Sequence, residues 1–166
     1  SILRFAYAGM MLTESVESKR KMKSILSKIS CRDKRKFARL KLSLLDSVNR
    51  EAEMPDVEVA GDVSFWDFGK AVDDVVKNFQ GRERFDELAK IFLGVGVKVS
   101  KDGQLPDESG ISFILAGLML ASDKRIEGQI IDTIGCLYGN IRRLAKRKKK
   151  EIQSSCRRSI KRYWVK

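Results

Sequence analysis

The last third of the chain, Glu127 to Lys166, limits what this sequence can fold into more than any other stretch. Ile130, Ile134, Leu137, Tyr138, Ile141, Leu144 and Ala145 recur at steps of three and four, which sets them on one helical face. The stripe continues through Ile152, Cys156, Ile160 and Trp164 and is interrupted by Lys148. Read as one helix from Ile130 to Trp164, it would be about 50 Å long, longer than a small domain is wide. Such a helix is expected to overhang the body or to pair with a second copy.

Charge is segregated along the chain. Residues 1–50 hold 13 Lys/Arg and 4 Asp/Glu, residues 51–130 hold 9 and 16, and residues 131–166 hold 12 and 2, within a formal net charge of +12. A basic front, an acidic middle and a basic end point to a polyanionic partner: nucleic acid, an anionic membrane surface or an acidic protein. With 166 residues and 43% hydrophobic content the chain can bury a core. The expected organisation is a single helical domain, 1–166, with 127–166 extending from the body.

The fold class expected is all-α, a bundle of five to seven helices ending in the long basic one. A first helix spans Ile2 to Ile29, although Thr13, Ser15, Ser18 and Lys19-Arg20-Lys21 weaken its apolar face and allow a break. Ser30 and Asp33 have the spacing of a capping box for a helix from Arg32 to Glu53, with Phe37, Leu40, Leu44, Leu45 and Val48 as its buried stripe. Met54-Pro55-Asp56 ends it, and a loop with a short extended piece at Val57 to Ala60 follows. Ser64 and Asp67 repeat the capping signal for Phe65 to Phe79, and Arg84 to Leu93 follows as another helix.

Gly94 to Val99 reads as irregular or briefly extended. Its G-x-G lacks a third glycine and a βαβ setting, so a dinucleotide site is not indicated. Lys101 to Glu108 reads as a turn-rich loop. Ile111 to Ser122 is an apolar helix, capped by Ser109 or Asp107, too short for the roughly 20 residues that span a bilayer. With almost no polar face it is expected at the centre of the fold. Residues 1–12 are apolar but lack the basic start and cleavage pattern of a signal peptide.

Catalysis has few candidates here. There is no histidine, which removes the usual base for a Ser or Cys nucleophile. No P-loop and no two-carboxylate metal frame is present, and the acids at Asp73-Asp74 and Glu83, Asp86, Glu87 read as surface residues. The expectation is no enzyme, no metal and no cofactor. Cys31, Cys136 and Cys156 lack zinc-ligand spacing. In one continuous helix Cys136 and Cys156 would lie about 30 Å apart, beyond disulfide reach. An odd, scattered set favours a reducing compartment, cytoplasmic or nuclear.

The candidate polyanion-binding residues are therefore the cations of the two basic segments. In the front they are Lys19, Arg20, Lys21, Lys34, Arg35, Lys36 and Arg39, and at the end Arg142, Arg143, Lys146, Arg147, Lys149, Lys150, Arg157, Arg158, Lys161 and Arg162. After Leu144 the apolar stripe is one residue wide, which suits a helix laid on another helix with phosphates tracked along its flanks. No Asn, Gln or Ser cluster accompanies the basic faces, so base reading is not indicated. The expected function is sequence-independent binding of RNA or DNA by a self-associating protein, of a type found among viral matrix, nucleocapsid-associated and silencing-suppressor proteins. The rival is a peripheral matrix-type protein binding anionic lipid through the same residues. A third reading is a processed extracellular protein, cytokine-like or gamete-recognition-like, with a basic tail.

Overall fold

Ile111 to Ala121, the apolar run, lies at the centre of the protein. The computed structural model describes the backbone of residues 2–59, 65–102 and 107–164, with side chains at all of these except 65–66, 101–102, 107–108, 139–140, 153 and 155–164. Eight helices make up the regular structure of the described residues: α1 Ile2–Leu12, α2 Val16–Ser27, α3 Cys31–Asp46, α4 Phe65–Asn78, α5 Gly81–Asp102, α6 Asp107–Leu120, α7 Lys124–Cys136 and α8 Tyr138–Trp164. The all-α expectation holds, but there are more helices than the five to seven expected. The Ser64 cap and the loop residues 103–106 lie outside the described residues.

Two long segments are divided. The front helix breaks at Thr13–Ser15, where the Thr13 hydroxyl accepts from the Ser15 amide (3.1 Å) and Ser15 caps α2 by accepting from the Ser18 amide (3.4 Å). The C-terminal segment breaks at Leu137, whose amide donates to the carbonyls of both Thr133 and Ile134 in a tightened last turn. Meanwhile α3 stops at Asp46 rather than near Glu53. Ser47 closes it, its hydroxyl donating to the Leu44 carbonyl at 2.7 Å. The chain from 47 to 59 then runs irregularly past α7. Gly135 is pressed against the Asn49 carbonyl there, and the Cys136 thiol donates to the Ala52 carbonyl.

Gly94 to Val99 is helical, part of the 22-residue α5. Two glycines cost such a helix about 1 kcal/mol each relative to alanine, so local preference argued for irregular chain. Packing overrides it. A Cβ on Gly96 would lie 2.7 Å from the Gly110 carbonyl oxygen, and one on Gly117 would lie 3.2 Å from that of Ala89. The two helices therefore run antiparallel with their backbones touching. Gly81 turns α4 into α5 at φ 60°, a conformation that L side chains rarely adopt.

Around α6 pack α1, α5, α7 and α8, while α3 packs on α8. Tyr7 of α1 is fully buried and stacks on Phe37 of α3 at 5.4 Å. Phe68, Phe92 and Phe113 join α4, α5 and α6 with ring centroids 5.4–5.8 Å apart. No helix among the described residues is long and apolar enough to cross a membrane.

The elbow between α6 and α7 is held by charge. The last carbonyls of a helix have no intrahelical donors, and a cation suits that end of the dipole. Arg4 of α1 donates to the Leu120 carbonyl (3.2 Å) and the Ala121 carbonyl (2.6 Å), and the Lys41 ammonium of α3 donates to the Ala121 carbonyl as well. On the other side Asp86 of α5 accepts from the amides of Ser122 (2.7 Å) and Asp123 (2.9 Å), ahead of α7. Lys41 also pairs with Glu127 at 3.0 Å. The Arg4 guanidinium sits over the rings of Phe37 and Phe85 at 5.6 and 5.7 Å.

Candidate functional site

The basic front and the basic end of the chain meet in space. α8 packs against both α2 and α3. It does so because its stripe of Ile141, Leu144 and Ile152 is buried while its other faces carry cations. Three ion pairs stitch the helices and the α1–α2 turn together: Lys149 with Asp46 at 3.2 Å, Lys19 with Glu151 at 3.7 Å, and Arg147 with Glu14 at 3.5 Å.

Most of the expected cations reach solvent. On α2, Arg20 and Lys21 are exposed and Lys19 is half-buried. Lys21 pairs along its own helix with Glu17 at 3.0 Å. On α3, Arg35, Lys36 and Arg39 are exposed, and on α8 so are Arg142, Arg143, Lys146, Arg147 and Lys150, with Lys149 half-buried. Arg142 lies 6.0 Å from the Tyr138 ring. Arg157, Arg158, Lys161 and Arg162 belong to α8, but their side chains lie outside the described residues.

Lys34 does not belong to this surface. It is 1% exposed, because α3 turns Lys34, Ala38, Lys41 and Leu42 toward the protein. Leu40, placed in the buried stripe by periodicity, is instead 59% exposed. It lines a shallow, mostly apolar groove of about 450 Å³ with Ile2, Leu3, Ile29 and Phe37, and with Lys36 and Asp33 among the lining residues.

Lys148 is the cation that sequence reasoning missed. In the sequence it reads only as an interruption of the apolar stripe. It is 2% exposed, and its ammonium donates to the Met10 carbonyl at 3.0 Å, at the end of α1. Burial pushes its pKa below the ordinary lysine value, against the opposing effect of Glu151 and Glu14. Lys41 is shifted down in the same way, with Glu127 opposing. Burial lowers Arg4 too, with Glu127 and Asp86 opposing. A lysine standing on an apolar stripe is the sequence signal that could have found these caps.

Part of the acidic middle is carried elsewhere. Asp73 and Asp74 are exposed on α4, which packs on α5, and α5 packs on α6. Glu83 is exposed on α5, while Asp86 is taken up by the elbow. Among the described residues no three His, Cys, Asp or Glu side chains gather as a metal site. Cys31 and Cys136 are free thiols. The arrangement thus puts exposed cations on α2, α3 and α8, with α8 packed against the other two. No protein family, characterised protein or solved structure was found to match this chain.

Proposed function

We propose that this protein binds nucleic acid through phosphate contacts, without sequence preference, along α2, α3 and α8. The observation that carries this reading is the adjacency of the three basic helices, which brings together cations more than a hundred residues apart in sequence. Neutralising several phosphates releases condensed counterions, and this supplies affinity without base contacts. Of the carboxylates that stand among these cations, Glu14, Glu17, Asp46 and Glu151 are each paired with one of them, which limits their repulsion of phosphate. Self-association of the chain, the absence of catalysis and an intracellular site of action remain part of the proposal.

One observation favours a second reading. Ile2 and Leu40 are 64% and 59% exposed beside Lys36, and apolar side chains next to cations suit an anionic lipid surface.

The test is a binding panel at low salt: double-stranded RNA, double-stranded DNA and single-stranded RNA of equal length, and phosphatidylserine vesicles. Tight binding to one or more nucleic acids regardless of sequence supports the first reading. Binding to vesicles alone replaces it with the second.

A further inference from the structure

Glu14, in the turn between α1 and α2, faces three cations from two helices. Its carboxylate lies 3.5 Å from the Arg147 guanidinium, 3.7 Å from the Lys148 ammonium and 3.7 Å from the Lys19 ammonium. A charge-assisted hydrogen bond is typically about 2.7–2.9 Å long, and none of these contacts is that short. Two carboxylate oxygens are spread over three donors. A phosphate group carries more acceptor oxygens than a carboxylate, arranged as a tetrahedron.

The burial is uneven in a telling way. The Glu14 side chain is 69% exposed, whereas that of Lys148 is 2% exposed and anchored on the Met10 carbonyl. The deep cation is thus fixed in the body and the anion sits at the mouth. Lys19 also lies 3.7 Å from Glu151 of α8, which sets a second carboxylate at the edge of the cluster. One buried, anchored lysine beside two further cations, with an exposed and loosely held counter-charge, has the makings of an anion site occupied from within the chain.

We propose that Lys19, Arg147 and Lys148 form a phosphate-binding site, and that Glu14 is its internal stand-in, displaced when a phosphate of a polyanion enters. This rests on the nucleic-acid reading above and adds to it a defined phosphate position and a built-in competitor.

The test compares three proteins: the wild type, Glu14→Gln, and Glu14→Gln combined with Lys19→Ala and Arg147→Ala. Affinity for a labelled double-stranded RNA is read by anisotropy, and stabilisation by inorganic pyrophosphate is read as a shift in melting temperature. Glu14→Gln should bind RNA about threefold to tenfold more tightly than wild type, as expected for loss of a partly exposed internal ion pair. Its pyrophosphate shift should be larger too, and both gains should vanish in the combined variant. Wild-type RNA binding with no gain in Glu14→Gln overturns the site and leaves the broader reading standing. A gain that survives loss of Lys19 and Arg147 overturns the site as well. Absent RNA binding with a pyrophosphate shift larger in Glu14→Gln, and lost in the combined variant, keeps the site and overturns the broader reading.

Discussion

Lys41 of α3 and Glu127 of α7 meet at 3.0 Å beneath the end of α6, with side chains only 6% and 17% exposed. The pair joins three helices, because the same ammonium donates to the Ala121 carbonyl. Removing one partner of a buried pair leaves the other charge uncompensated, whereas removing both is far milder. Lys41→Met should therefore destabilise the protein by about 3 kcal/mol. Adding Glu127→Gln should recover at least about 1 kcal/mol of that loss. Urea titration of both variants decides it, and strictly additive losses would mean that the contact does not couple the helices.

Lys148 makes stability pH-dependent in the alkaline range. Burial weakens its hold on a proton relative to the ordinary value of 10.5. Between its folded value and 10.5 the unfolded chain binds more protons, so stability rises with pH through that window and is unaffected well below it. The neutral amine can still donate to the Met10 carbonyl. The gap in unfolding free energy between wild type and Lys148→Met should widen in favour of wild type as pH rises toward 10.5. A gap that stays constant over the series contradicts the buried position.

Glycine substitutions should split by location. At Gly96 a Cβ meets Ile114 and the Gly110 carbonyl, so Gly96→Ala should cost about 1–3 kcal/mol despite alanine's better helix propensity. At Gly128, on α7, nothing lies within 4 Å, and Gly128→Ala should stabilise by about 0.5–1 kcal/mol. Melting temperatures moving in opposite directions are the expected result. A rise at both sites would mean that α5 and α6 do not touch along their backbones.

Periodicity and caps were legible wherever neighbours agreed with local preference. The Ser30–Asp33 cap is present, with the Ser30 hydroxyl accepting from the Asp33 amide at 3.2 Å, although the Asp33 carboxylate bonds that hydroxyl (2.9 Å) rather than the Ser30 amide. The central apolar helix and the Ile141–Leu144–Ile152 stripe also follow from spacing alone. Two kinds of feature did not. Gly94 to Val99 looked irregular because the reason for its glycines lies in α6, far along the chain. Lys34 reads as surface charge and Lys148 as an interruption of the stripe, but both are buried, as is Lys41. Lys41 and Lys148 serve carbonyls at helix ends that only the folded arrangement brings beside them.

The basic surface should respond to where charge is placed rather than to net charge. Reversing Arg35, Arg39, Arg142 and Lys146 to Glu removes exposed cations from α3 and α8, whereas reversing Lys70, Lys77, Lys124 and Arg125 changes net charge equally on α4 and α7. The first set should lower nucleic-acid affinity by about a hundredfold or more at moderate salt, the second far less. Equal losses in a filter-binding assay would remove α3 and α8 as the contact surface.

The central claim is most directly tested by the salt dependence of wild-type binding to double-stranded RNA of mixed sequence. If phosphates are tracked along α2, α3 and α8, log affinity should fall linearly with log salt at a slope of about −4 or steeper, corresponding to about five or more phosphates. Scrambling the RNA sequence should leave that slope unchanged. A flat salt dependence, or a slope that changes with base sequence, would contradict phosphate tracking by the basic helices.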